Sequence, residues 1–142
     1  MANEFITWND SYSVGIPLMD EQHKKLLVMI NDLHKVTQVK ADEDGDVRNK
    51  AAFAVACSKA ADYAKTHFAD EEKYMAQAGY PDLEDQKKQH ESYLSRIWAE
   101  FGKYEKGEAA PLDLAMFLRD WLMQHIVAKD KLYTSYLSKI KI

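Results

Sequence analysis

Apolar residues recur at helical spacing in four successive stretches of the chain. In the first, Leu26, Leu27, Ile30 and Leu33 form a stripe that also contains His23, which predicts a helix from about Asp20 to Val39. Lys40 to Asp46 is acidic and contains Gly45, so a loop is expected there. A second helix is predicted from Val47 to Ala78, closed by Gly79-Tyr80-Pro81, because glycine can take the left-handed cap and proline cannot continue the helix. Stepping back from His67 by threes and fours meets Tyr63, Ala60, Ala56 and Phe53, a small and mostly apolar face. The third helix is predicted from Asp82 to about Tyr104, with Gln86, His90, Leu94, Ile97 and Phe101 on one face and Glu105-Lys106-Gly107 ending it. The fourth opens at Pro111, a residue suited to a first turn. It carries Leu114, Leu118, Trp121, Leu122 and His125, and is expected to continue through Tyr133 and Leu137.

Four amphipathic helices with short connections predict an all-α fold, an antiparallel up-down-up-down four-helix bundle over residues 18–142. Residues 1–17 hold Trp8, Tyr12, Gly15 and Pro17 without helical period. They are expected to form an extended arm, since two large rings are costly to leave in water. The 142 residues suit one domain, large enough to bury a core without a disulfide or a structural metal. Any metal is therefore expected to be functional.

Charge narrows the function. The net charge is −4, from 19 basic and 23 acidic residues spread along the chain, which argues against a nucleic-acid groove and against a polybasic membrane patch. The single cysteine, Cys57, leaves no intramolecular disulfide and is expected to be a small buried residue in a reducing compartment. The first residues lack a basic segment followed by an apolar one, and no stretch approaches the roughly 18 apolar residues of a membrane span. A cytoplasmic monomer is expected.

The chemistry centres on His67-Phe68-Ala69-Asp70-Glu71-Glu72. His67 and Glu71 lie one helical turn apart and can reach a common point. Mixed imidazole and carboxylate sets are the usual shell of non-haem iron, although one such pair alone is often only a solvated surface pair. Each of the other helices adds one imidazole: His23, His90 and His125. Burying several imidazoles together is expensive unless something coordinates them. Asp130 lies five residues beyond His125, which in a regular helix rotates it by about 140° off that face. For both to bind one centre, a local widening such as a π-bulge is expected between them; otherwise Asp130 is a surface partner of Lys129 or Lys131. His34, on the face of His23 but about 16 Å further along, is expected to be a packing or surface residue.

The run Val14-Gly15-Ile16-Pro17-Leu18-Met19-Asp20-Glu21-Gln22-His23, with Trp8 upstream, resembles the opening of the bacterial hemerythrins. The order His67-Phe68, Glu71-Glu72, Gly79-Tyr80-Pro81, His90, His125-Ile126 and Asp130 is similar to the rest of that family's pattern. The resemblance implies a four-helix bundle around two non-haem iron ions, oxo- or hydroxo-bridged, that bind dioxygen at one iron. It implies that His23 and His67 serve the iron with the open position, that Glu71 and Asp130 bridge, and that His90 and His125 serve the second iron. The family's third histidine on that iron falls one turn before His90, where this chain has Gln86.

Gln86 either binds through its amide oxygen or leaves its position to water. Both favour faster autoxidation, or oxygen and peroxide activation over reversible carriage, and a mononuclear site is the extreme case. A dry pocket for dioxygen is expected from Trp121 and Leu122 on the fourth helix with Leu27 and Ile30 on the first. The expected function is thus dioxygen storage, delivery or sensing. The alternatives are a di-iron peroxidase or oxidase, or an iron-holding or nitric-oxide-binding bundle.

Overall fold

The computed structural model describes residues 4–38 and 43–142, with the side chains of the second helix described from residue 50 onward. Four long helices, α1 (Pro17–Thr37), α2 (Glu43–Gln77), α3 (Leu83–Glu105) and α4 (Pro111–Ala128), are followed by a 3₁₀ turn (Asp130–Tyr133) and a short α5 (Thr134–Leu137). There is no strand among the described residues. Helix α1 packs against α2 and α4, and α3 packs against the same two. Five-residue connections, 78–82 and 106–110, join successive neighbours, the arrangement of an antiparallel up-down-up-down bundle.

Three local expectations are corrected. Residues 43–46, read as loop, are helical, while residues 40–42 of that loop lie outside the described residues. The arm ends at Ile16, because Pro17 is already the first residue of α1. The fourth helix does not run to the C-terminus: it stops at Ala128, with consequences for the site described below.

The expected stripes face inward. His23, Leu26, Leu27, Ile30 and Leu33 of α1 are buried, as are Phe53, Ala60, His67 and Glu71 of α2, and Leu114, Leu118, Leu122 and His125 of α4. Cys57 is fully buried, and burial pushes its thiol up to about 12. At the end of α2, Gly79 takes φ +70° and lets the Tyr80 N–H return to the Met75 carbonyl at 2.9 Å, the closing bond of a Schellman cap.

The N-terminal segment is fastened along the bundle by specific contacts. Ile6 donates its N–H to Asn31 Oδ1 at 2.9 Å and accepts from Asn31 Nδ2 at 2.8 Å, so one buried side chain stands in for a strand neighbour. Phe5 stacks on His34 at 4.0 Å, which makes His34 a packing residue. Lys24 lies over Trp8, and Trp8 meets Tyr12 edge-on. Asp20 accepts from the Val14 N–H and the Ser13 hydroxyl, and the Thr134 hydroxyl donates to the Val14 carbonyl. Gly15, at φ +74°, allows that close approach: a Cβ there would sit 3.1 Å from Thr134. No described helix is long and apolar enough to cross a membrane.

Candidate metal centre

Each of the four long helices sends an imidazole to one interior region. His23, His67, His90 and His125 are all nearly or fully buried, and Glu71, Gln86 and Asp130 are buried with them. The ring of His23 lies 4.7 Å from that of His67, and the ring of His90 lies 5.1 Å from that of His125. Glu71 Oε1 faces both pairs, 3.1 Å from His67 Nε2 and 3.5 Å from His90 Nε2. Asp130 does the same: Oδ2 lies 3.2 Å from His23 Nε2 and Oδ1 lies 3.1 Å from His125 Nε2.

Asp130 reaches this position by a route other than the expected π-bulge. Helix α4 ends at Ala128, Lys129 turns to φ −117° and ψ −50°, and Asp130 opens a 3₁₀ turn. The Lys129 N–H still bonds the His125 carbonyl at 2.8 Å, so the change of direction begins after that bond. Because the chain leaves regular helical dihedrals at Lys129, the rotation that five regular residues would impose does not apply to Asp130. Asp130 is 1% exposed, which excludes a surface pairing with Lys129 or Lys131.

The electrostatics call for a cation. Burial raises the Glu71 and Asp130 carboxyls, yet His67 and His23 hold Glu71 well below the usual carboxylate range, and His125 and His23 lower Asp130. Burial opposes protonation of His23 too, but Asp130 and Glu71 override it and raise His23 from 6.5 to about 10. His90 is lowered, chiefly by burial. Two ionised carboxylates enclosed together need positive charge between them. A proton on His23 is one source, and divalent cations are a fuller one because they also satisfy lone pairs. His23 Nδ1 and Nε2, Glu71 Oε1, Gln86 Oε1, His90 Nε2, His125 Nε2 and Asp130 Oδ2 are buried with no hydrogen-bond partner among the described residues. Unpaired buried polar atoms are costly and rarely gathered without reason. Their spacing fits coordination: bonds of about 2.0 to 2.2 Å to a common ion set neighbouring ligand atoms roughly 3 to 3.5 Å apart. Two overlapping sets gather ligand atoms within 4.8 Å of one another, His23, His67, Glu71 and Asp130 in one and His90, His125 and Asp130 in the other.

A surrounding layer fixes the rings, and sequence reasoning did not find it. Gln22 Oε1 lies 2.6 Å from His67 Nδ1, Glu72 Oε2 lies 2.8 Å from His90 Nδ1, and Gln89 Oε1 lies 2.9 Å from His125 Nδ1. Each oxygen accepts the Nδ1–H and leaves the Nε2 lone pair pointing inward. The glutamines are oriented in turn, since Gln22 donates its amide to Asp70 and Gln89 donates to Asp85, both at 2.9 Å. The available signal was the Gln-His dipeptide at 22–23 and 89–90. A residue one step before an inward histidine lies about 100° around the helix, turned to the histidine of the adjoining helix. Tyr133, fully buried, also escaped notice.

The pocket residues divide. Leu27, Ile30 and Leu122 are buried in the core. Trp121 is half-buried and stacks flat on His125 at 4.5 Å, lining a pocket of about 290 Å³ with Gln89 and Lys129. Leu27 lines a different hollow, of about 240 Å³, beside the arm. Trp121 and Leu27 therefore do not share one of these cavities.

The Hemerythrin HHE cation binding domain family matches residues 14–137. A bacteriohemerythrin of Stenotrophomonas maltophilia is 32% identical over 128 residues, 90% of this chain and 78% of the relative. The myohemerythrin of Sipunculus nudus is 30% identical over 132 residues, 92% of each chain. The crystal structure of a wild-type hemerythrin superposes with a TM-score of 0.82 at 30% identity, covering 94% of this chain and 98% of its own. With a buried set of histidines and carboxylates that fits a pair of metal ions, the chain belongs to the hemerythrin family, as a non-haem di-iron protein that binds dioxygen.

Proposed function

We propose that His23 and His67 hold one iron, that His90 and His125 with the amide oxygen of Gln86 hold the other, and that Glu71 and Asp130 are shared between them. The pair would serve dioxygen storage, delivery or sensing. The observation that carries this reading is the group of buried ligand atoms with no hydrogen-bond partner, drawn from all four helices. Iron held by these residues would supply the electrons for binding dioxygen. The protein supplies the rest. Gln22, Glu72 and Gln89 keep three imidazoles in the tautomer that offers Nε2. Tyr133 donates to Glu71 and steadies one shared carboxylate. Leu27, Ile30 and Leu122 keep water from the interior on both sides of the bundle, and Trp121 covers the outer face of His125.

Gln86 favours a second reading, a peroxidase or oxidase working at the same centre. An amide oxygen is a weaker and harder donor than imidazole, and a less well-held iron favours activation of oxygen or peroxide over carriage. The free, buried thiol of Cys57 supports a reducing compartment, the cytoplasm, where the chain would act as a monomer with nitric oxide or peroxide as further ligands.

Iron counted per chain, together with the optical spectrum of the reduced protein before and after exposure to oxygen, tests both readings. A stable charge-transfer band that disappears on deoxygenation supports carriage. Rapid ferric bleaching with turnover of an added reductant supports the enzyme. No iron retained after anaerobic loading overturns the assignment.

A further inference from the structure

The two halves of the cluster carry different donors. On one side stand two imidazoles, His23 and His67, with oxygens of Glu71 and Asp130. On the other stand two imidazoles, His90 and His125, with Asp130, Glu71 Oε1 at 3.5 Å from His90 Nε2, and Gln86 on Asp130. Gln86 is 1% exposed and lies one turn before His90 on α3, so both project from one face.

The orientation of the Gln86 amide is set by chemistry. Its Nε2 donates to Asp130 Oδ1 at 3.2 Å. A carboxylate can only accept, so the flipped amide would set oxygen against oxygen. The amide oxygen is therefore the free end, buried and without a partner. His90 Nε2 and His125 Nε2 are likewise buried without partners among the described residues, and Asp130 Oδ1, the atom that Gln86 touches, lies 3.1 Å from His125 Nε2.

Exchanging an imidazole for a carbonyl oxygen changes which ion is preferred. Imidazole suits iron, whereas carbonyl and carboxylate oxygens suit manganese, and iron's lead over manganese at a divalent site depends on ligand type. An oxygen at position 86 weakens the hold on iron in that half and narrows its advantage over manganese. The His23 half has no such exchange.

We propose that the two metal positions are unequal, and that the amide oxygen of Gln86 makes the His90–His125 position the weaker one, which accepts Mn²⁺ in place of iron. Offered Mn²⁺ in excess over Fe²⁺, the chain then holds a mixed iron and manganese pair, because a narrowed preference at one position is overcome before the full preference at the other. This rests on the reading that the cluster binds a metal pair.

The test uses metal-free wild-type protein, Gln86→His and Gln86→Leu, each incubated anaerobically with Fe²⁺ and an excess of Mn²⁺ together and then desalted. Bound metals are counted by mass spectrometry, and manganese is followed by electron paramagnetic resonance. Wild type is expected to retain both ions, with manganese released first to a chelator. Gln86→His should lower the bound manganese-to-iron ratio by about tenfold or more, at least the scale on which changes just outside the ligands already act. Gln86→Leu, of similar volume but without a donor, should lose the second ion. Wild type binding only iron in both positions would overturn the proposal. So would an unchanged ratio in Gln86→His, or full retention in Gln86→Leu. Retention of no metal by any of the three proteins would overturn the proposal together with the reading beneath it, which separates the two failures.

Discussion

The hydroxyl of Tyr133 donates to Glu71 Oε2 at 2.7 Å, joining the 3₁₀ turn after α4 to the carboxylate that α2 places between the histidine pairs. Tyr133 lies three residues after Asp130, so one short turn supplies both a carboxylate and a phenol to the interior. The phenol is pushed well above its ordinary value, by burial first and then by Glu71 and Asp130, so it remains a donor. A hydrogen bond to a buried charged group contributes about 1.5 to 3 kcal/mol. Tyr133→Phe is therefore expected to lower the unfolding free energy of the metal-free protein by about 2 kcal/mol, read from urea denaturation. Its effect should be non-additive with that of Glu71→Gln, since the two share one bond. Simple additivity in the double variant would remove Tyr133 from the site.

The glutamines that hold the rings make a second prediction. Gln22→Leu and Gln89→Leu keep the buried volume but remove the acceptor for His67 and His125. Each is expected to weaken metal binding by about ten- to a hundredfold, measured by competition with a chromophoric chelator. Asp70→Asn, one layer further out and bonded only through Gln22, should act more weakly. An equal loss from Asp70→Asn would point to general electrostatics and not to control of the tautomer.

The bundle and the inward histidines were legible in the sequence because helical periodicity and the face of a residue are local properties. His23, His67, His90 and His125 each sit on a stripe that can be counted. Asp130 was legible as a residue and not as a geometry: its five-residue offset demanded a distortion, but a π-bulge and a helix break followed by a 3₁₀ turn solve the same rotation, and periodicity cannot choose between them. Gln22, Gln89 and Tyr133 were hidden for another reason. Their partners lie on neighbouring helices, 45, 36 and 62 residues away, and only the packed bundle brings them together. Asn31 was missed likewise, since a polar residue on an apolar stripe gives no hint that an extended segment will pair with it.

The response of the metal-free protein to pH follows from the same cluster. His23 is raised from 6.5 to about 10, with burial opposed and outweighed by Asp130 and Glu71. A raised folded-state value stabilises fully below 6.5, and that contribution is lost as pH rises through about 10. On the acid side, Glu71 and Asp130 are lowered, and His90 is lowered by burial. Their contributions are present above the ordinary values and are lost as pH falls. The urea midpoint is thus expected to peak near neutrality and to decline toward alkaline pH. His23→Gln should flatten the alkaline limb and also weaken the acid limb, because His23 helps to lower Glu71 and Asp130. A limb that persists in that variant would assign the alkaline loss to other groups.

The N-terminal segment gives a prediction away from the metal. Asn31 is 7% exposed and both ends of its amide are used by Ile6, one accepting and one donating. Replacing it with alanine leaves an N–H and a carbonyl of an extended segment facing the bundle with no partner. Two net hydrogen bonds contribute about 1 kcal/mol each, so Asn31→Ala should cost about 2 kcal/mol. Asn31→Asp is the sharper variant. It keeps the acceptor for the Ile6 N–H but sets a carboxylate oxygen against the Ile6 carbonyl, and its cost should rise with pH as the carboxyl ionises, whereas that of Asn31→Ala should not. The Phe5 stack on His34 and the Arg119 contact with Phe5 depend on the segment staying docked, so cleavage by a protease within residues 4–12 should accelerate in both variants. Cleavage there at the wild-type rate would mean that the Ser13, Val14 and Asp20 contacts hold the segment without Asn31.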